Sequence, residues 1–297
     1  VASQEPLKRK FQKPFDSIRY LTNSFQRRAV QFRTRISGAG MDFAARFAAM
    51  ADGAAAAVHN GSAAGRIVLA CEHASNTIPA AFDSLGLPPD VLQTHIAWDP
   101  GALALAKHLS DRLDAALVHQ QFSRLIYDCN RPPEAPSAMP VRSEIYDIPG
   151  NDDLSEAEKF WRTSRLYVPF HTRLAGQIDR VRANGQEPVL VTIHSFTPVY
   201  HGQPRQVQVG ILHDADSRLA DGMLTAAAGE EAYVIARNQP YAPTDGVTHT
   251  LRLHALPGGI PNVMIEVRND LIADADGQTR MADCLARLLT AGLADLT

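Results

Sequence analysis

The feature that most constrains this chain is a strand pattern that ends in chemistry. Ile67-Val-Leu-Ala-Cys-Glu72-His73 begins apolar and β-branched and then turns abruptly polar, as a buried strand does when it stops at a site. Pro188-Val-Leu-Val-Thr-Ile193 repeats the pattern and stops at His194-Ser195-Phe196-Thr197-Pro198. Two further apolar runs follow. One spans Val207 to His213, and the other, Asn262 to Arg268, carries Glu266 and Arg268 towards its end. A charged pair at the end of an apolar strand is costly to bury without a partner or a function. In open α/β sheets ligands collect at the carboxyl ends of strands, so the two histidine-terminated runs point to one shared site.

Helical segments alternate with these strands. Ala102–Leu113 is apolar-periodic, with Asp99 placed either to cap it or to face a cavity. Ser155-Glu-Ala-Glu158 is a capping box opening a long helix towards Asn184, where Pro169 predicts a kink and His171 has a packing or surface role. Short helices are expected through Phe82, from Pro88-Pro89 to Thr94, from Ser217 to Ala228 and from Thr248 to His254, and an amphipathic helix closes the chain from Asp283 to Leu293. Such alternation predicts a three-layer α/β sandwich around a mixed, mostly parallel sheet. The Pro-rich stretch from Pro132 to Asp153 is a long loop of the kind that forms lids and binding loops.

Composition narrows the function classes. With 297 residues and 45% hydrophobic content the chain can build one large α/β domain or two smaller ones. No apolar run approaches the roughly 20 residues that span a bilayer. Cys71, Cys129 and Cys284 are too few and scattered for a disulfide framework and fit a reducing, cytoplasmic setting. No Gly-rich phosphate loop supports a nucleotide cofactor. Charge is uneven: residues 1–40 hold nine Lys or Arg against two acids, a net +7, and the remainder carries −10. A basic segment of this kind can contact nucleic acid. The blander reading is preferred: Met41 opens a plausible start, 1–40 is an extension, 41–65 is a helix or linker, 66–297 is the functional domain, and no nucleic acid is expected.

The polar strand ends supply Glu72, His73, His194, Glu266 and Arg268, with Asp99 at a helix start. Two histidines and one carboxylate form the protein ligand count of a hydrolytic zinc site, leaving a second carboxylate as general base. Arg124, Asn130 and Arg131 are suited to gripping a carboxylate, although pairing of the arginines with Asp128 at the surface is the commoner fate. No His-x-x-Glu or His-Glu-x-x-His motif is present, so spacing alone does not establish a metal site.

Taken together, Glu72-His73-Ala-Ser-Asn, Trp98-Asp99-Pro-Gly, Ser123-Arg124-Leu with Asn130-Arg131-Pro, Ile193-His194-Ser-Phe-Thr-Pro and Ile265-Glu266-Val-Arg268-Asn-Asp270 resemble the N-formylglutamate amidohydrolase family. The resemblance runs in order from about Arg66 to the C-terminus. It implies a zinc-peptidase-like phosphorylase/hydrolase fold and hydrolysis of an N-acyl amino acid, N-formyl-L-glutamate to glutamate and formate being the type reaction. By the same resemblance His73, His194 and Asp99 are the zinc ligands, with Glu72 the alternative third. Glu266 takes a proton from the attacking water and passes it to the leaving amine, and Arg124, Asn130, Arg131 and Arg268 hold substrate carboxylates. Family members in histidine breakdown typically show Pro-His-Ser-Gly at the first ligand, where this chain has Glu72-His73-Ala-Ser75, so the metal chemistry transfers better than the substrate. The expected partner is a small acidic N-acyl amino acid, and the expected state a monomer or homodimer away from membranes. The runner-up is a zinc carboxypeptidase or amidase acting on a larger peptide or cell-wall fragment, favoured if residues 132–153 leave an open groove. A non-catalytic binding protein is the reading from another class.

Overall fold

In the computed structural model, which describes residues 55–294 and 296, seven strands form one sheet. In chain order the elements are β1 (Ala56–His59), β2 (Ile67–Cys71), α1 (Ala102–Leu113), β3 (Ala116–Gln120), the hairpin β4 (Arg142–Ser143) and β5 (Tyr146–Asp147), α2 (Glu156–Arg162) and α3 (Val168–Ala183). Then come β6 (Val189–Phe196), the hairpin β7 (Val199–Tyr200) and β8 (Gln203–Pro204), β9 (Val209–Leu212), α4 (Arg218–Ala227), β10 (Ile235–Arg237), α5 (His249–His254), β11 (Asn262–Arg268) and α6 (Ala275–Ala294). The sheet order is β1-β3-β2-β6-β11-β9-β10. β3, β2, β6 and β11 are mutually parallel, while β1 and the β9–β10 pair run the other way.

Strand alternation splits the core into two layers. Leu69, Leu117, Val191, Ile193, Ile211 and Ile265 pack against α1, α4 and α6. Val68, Val118, Leu190 and Met264 face the opposite way, towards Phe170, Leu174 and Ile178 of α3 and Leu251 of α5. This is the expected three-layer sandwich. The chain leaves β2 for β3 on one side and returns to β6 and β11 on the other, so the strand order reverses between β2 and β6. That crevice is where open α/β sheets bind ligands.

Three local expectations change. The Ala-rich segment ahead of Gly65, expected as helix or linker, contains β1, which pairs antiparallel with β3 from Ala56↔Gln120 to His59↔Leu117. Pairing to a ready strand outweighs the weak β-propensity of alanine. The segments expected as helices near Phe82 and Val91 are 3₁₀ turns, Ala80–Gly86, broken by a kink where Asp83, Ser84 and Leu85 are left-handed, and Val91–Gln93. Between Ser155 and Asn184 the capping box is present and the expected break falls at a π-helical turn, Thr163–Tyr167, just before Pro169. Proline there lacks the N–H that would close onto the Arg165 carbonyl. Residues 1–54, including the basic segment and Met41, lie outside the described residues.

Candidate metal and active site

Register brings the polar strand ends to one level. Glu266 of β11 pairs with His194 of β6, and Ala70 pairs with Thr192, so two residues further along Glu72 reaches the level of His194. Glu72, His194 and Glu266 therefore project to one face of the sheet. His73 follows immediately after β2, and its carbonyl accepts from the Asp99 N–H at 2.9 Å, tying the Trp98–Gly101 turn to the strand end. Gly101 adopts φ +80°, and a Cβ there would strike the Ile272 carbonyl, so this turn requires glycine. Asp99 does not cap α1 with its side chain; its backbone carbonyl accepts from Ala102 N–H, which frees the carboxylate to turn into the site.

His73 Nδ1 and His194 Nδ1 approach to 3.2 Å, and both sit beside one oxygen of Asp99, Oδ2, at 3.2 and 2.9 Å. The Ser195 N–H also points at that oxygen from 3.3 Å. The outward nitrogens face carboxylates: His73 Nε2 is 2.7 Å from Asp128 Oδ1, and His194 Nε2 is 3.1 Å from Glu72 Oε2. All five side chains are buried. With each neutral ring's N–H assigned to Nε2, on the side of its carboxylate, two Nδ1 lone pairs and a carboxylate oxygen converge, so a proton or a cation is needed between them. That donor set fits a cation. Tetrahedral zinc with bonds of about 2.0–2.1 Å needs ligand atoms about 3.3 Å apart, close to the 2.9–3.2 Å separations of the triangle. Among the described residues His73, Asp99 and His194 are the group able to hold a metal ion. Glu72 stands behind His194, in the orienting position typical of second-layer carboxylates, which favours Asp99 over Glu72 in the contest for third ligand.

Electrostatics follow from burial against pairing. Burial raises the Asp128 carboxyl, but the charges of His73, Arg124 and Arg131 and the His73 hydrogen bond outweigh it and hold it well below the usual range. Burial likewise favours a neutral His194, yet Glu72 and Asp99 drive it well above its ordinary value. Glu266 goes the other way: burial, reinforced by Asp99, pushes it up to about 7 against the opposing pull of His194, His73 and Arg124. Its Oε2 is buried with no hydrogen-bond partner among the described residues.

A pocket of about 140 Å³ opens over this cluster, lined in part by His73, Asp99, Arg124, Asn130, Arg131 and Glu266. A wider groove of about 720 Å³ beside it along α1 shares His95 but gathers no comparable donor set. Arg124 reaches Asp99 Oδ1 at 3.4 Å and Asp128 Oδ2 at 2.9 Å. Asn130 lines the pocket, but its amide is engaged, donating to Val247 O at 2.6 Å and accepting from Thr250. The Arg131 guanidinium donates to the carbonyls of Asn130 and Gly246, at 2.8 and 3.1 Å. Arg268, on the margin, pairs with Asp270 and lies outside the pocket lining. Asp128, named from sequence only as a surface partner for arginine, is buried against His73. Tyr241 and His95, which line the pocket, and Arg205, stacked on Tyr241, carried no motif in the sequence. His95 of the lining is held by Glu144, whose Oε2 lies 3.1 Å from its Nε2.

Fold and cluster together define an α/β protein with a buried His-Asp-His group, able to hold a metal ion, at the switch point of its sheet. The family model of N-formylglutamate amidohydrolase matches residues 65–273, and the chain belongs to that family, a family of amidohydrolases. The crystal structure of gene product Atu2144 from Agrobacterium tumefaciens is 61% identical, with 82% of this chain and 96% of that chain covered at a TM-score of 0.80. N-formylglutamate amidohydrolase from Ralstonia eutropha JMP134 is 19% identical, with 79% and 95% covered at a TM-score of 0.56, a likeness of fold. Comparison with curated proteins gives no match.

Proposed function

We propose that this chain hydrolyses the amide bond of N-formyl-L-glutamate, or a close N-acyl analogue, with a zinc ion held by His73, Asp99 and His194. The observation that carries this reading is the meeting of two Nδ1 atoms and Asp99 Oδ2 within 3.2 Å, with both outer imidazole nitrogens facing carboxylates. When bound, the ion polarises the acyl oxygen and lowers the pKa of water towards about 7.

The remaining work falls to the chain. Glu266 Oε2, buried and unpartnered, takes the proton of the water that attacks the acyl carbon and returns it to the amine as the C–N bond breaks. Burial, which raises its carboxyl above the usual range, suits a group that must hold and then release that proton. Arg124 ties Asp99 to Asp128 and keeps the cluster in register. Arg131, whose guanidinium hydrogen-bonds no carboxylate among the described residues, binds the substrate's α-carboxylate and fixes the acyl carbon in place. A pocket of about 140 Å³ lies below the roughly 300–1,000 Å³ of sites for drug-sized ligands. That size favours a small substrate over a peptide or cell-wall fragment. The three buried free thiols fit a reducing cytoplasm.

The test is metal analysis coupled to a screen of N-formyl, N-acetyl and N-succinyl amino acids and acylated peptides. The reading expects about one zinc per chain, hydrolysis of formyl-glutamate, and loss of that activity on chelation with recovery on zinc addition. Full activity in metal-free protein, or preference for peptides, contradicts it.

A further inference from the structure

Four arginines stand at or near the pocket, and they differ in what already neutralises them. Arg124 is committed to Asp99 and Asp128. Arg268 is committed to Asp270, at 2.8 and 3.1 Å. Among the described residues the Arg131 guanidinium hydrogen-bonds two carbonyls, with the charge of Asp128 close by. Arg205, just past the β7–β8 hairpin, meets no carboxylate among the described residues. Its guanidinium carbon lies 4.5 Å from the ring centre of Tyr200, 5.0 Å from that of Tyr241 and 5.4 Å from that of Phe196. One nitrogen, Nη1, donates to Tyr241 Oη at 3.1 Å.

Two of those rings, Phe196 and Tyr241, line the pocket. The backbone of Arg205 is pinned on both sides: its N–H donates to Pro198 O at 2.8 Å, and its carbonyl accepts from Arg268 Nη1 at 3.1 Å. Arg268 thus acts on the pocket through Arg205. Stacking over rings supports the face of a guanidinium and leaves its in-plane N–H groups available as a fork. A half-buried cation fixed beside a pocket, with its donor edge largely uncommitted, is built to receive an anion.

We propose that Arg205 is a specificity-determining residue that binds the side-chain carboxylate of the acidic N-acyl amino acid at the pocket rim. The assignment rests on the proposed amidohydrolase reading. In such a substrate the α-carboxylate lies two bonds from the reacting nitrogen and falls to Arg131 in the pocket wall. The side-chain carboxylate lies further out, where Arg205 waits beyond Tyr241 and Phe196.

The experiment compares N-formyl-L-glutamate with its neutral isostere N-formyl-L-glutamine on the wild type, Arg205→Met and Arg205→Lys. Losing a charge-assisted hydrogen-bonded pair gives an expected drop in kcat/KM for the glutamate substrate of about 10–100-fold in Arg205→Met, carried by KM. The glutamine substrate stays within about 3-fold, and Arg205→Lys falls between. An equal loss on both substrates, as a structural role would produce, or no loss on either, overturns the proposal. Calorimetric binding of L-glutamate and L-glutamine separates this from the underlying reading. If the wild type hydrolyses neither substrate, the amidohydrolase reading fails, while weaker glutamate binding in Arg205→Met with glutamine unchanged still supports Arg205. Glutamate binding that is absent in the wild type, or equal in both proteins, overturns the role of Arg205.

Discussion

The protein buries two pairs of touching histidines, and they are built on opposite principles. In one, His73 and His194 meet Nδ1 to Nδ1 at 3.2 Å with Asp99, Asp128 and Glu72 around them. In the other, His171 Nδ1 faces His254 Nε2 at 2.8 Å, and His171 Nε2 faces the Cys129 carbonyl at 2.9 Å. The second pair is closed without charge: His254 Nε2–H donates to His171 Nδ1, and His171 Nε2–H donates to the carbonyl. Burial, with the charge of neighbouring His249, drives His254 down to about 3, and His171 is pushed well below its ordinary value. The first pair does not close without charge: its outer nitrogens are turned to carboxylates, and a proton or a cation must stand between the two Nδ1 atoms and Asp99 Oδ2. Burial alone does not make a histidine a ligand; the placement of carboxylates behind it does.

The contrast breaks most decisively by mutation. His194→Ala is expected to abolish metal retention and cut amide hydrolysis on the order of 10³-fold, the several kcal/mol that a catalytic metal supplies. His171→Ala is expected to keep its metal and most activity, and to lose about 1–3 kcal/mol of stability through unpaired buried groups. Metal content and chemical denaturation of the two variants separate these roles. A smaller effect probes the carboxylates behind the ligands. Asp128→Asn leaves the ligands in place but weakens the hold on the His73 ring, so metal affinity should fall about 10–100-fold in competition with a chelator. Unchanged affinity would remove Asp128 from the site.

A separate test lies in the pH dependence of stability. The folded-state value of His254, about 3, is below its ordinary 6.5. Between these values the unfolded chain binds a proton that the native protein does not, so this group makes stability fall as pH drops below about 6.5 and stop falling below about 3. His254→Gln should flatten that slope in denaturation curves recorded across the window. A slope unchanged by the substitution would mean that this pair is not held neutral.

Much of this was legible in the sequence because burial and chemistry shared the same residues. Apolar runs that stop at His73, His194 and Glu266 mark strand and candidate site together; His213, ending a similar run but bonded to the Asp214 carbonyl and Arg237 outside the pocket lining, shows that a strand-end histidine alone does not. Asp99 was ambiguous because a carboxylate ahead of a helix reads as a cap; only the left-handed Gly101 and the backbone bond from Ala102 release it. Asp128 looked like a surface partner for arginine because burial is not written in an Arg-x-x-x-Asp spacing. Arg205 was invisible: its three rings come from Phe196, Tyr200 and Tyr241, and the last lies 36 positions away. β1 was missed for a related reason, since its alanines become a strand only when β3 is there to pair with them.

The most direct measurement is anomalous diffraction at the zinc edge from crystals of the zinc-loaded protein. The account predicts one strong peak per chain among His73 Nδ1, His194 Nδ1 and Asp99 Oδ2, with none at the His171–His254 pair. A peak on the Nε2 side of His194 beside Glu72, a peak at His171 and His254, or no peak at either pair would contradict it.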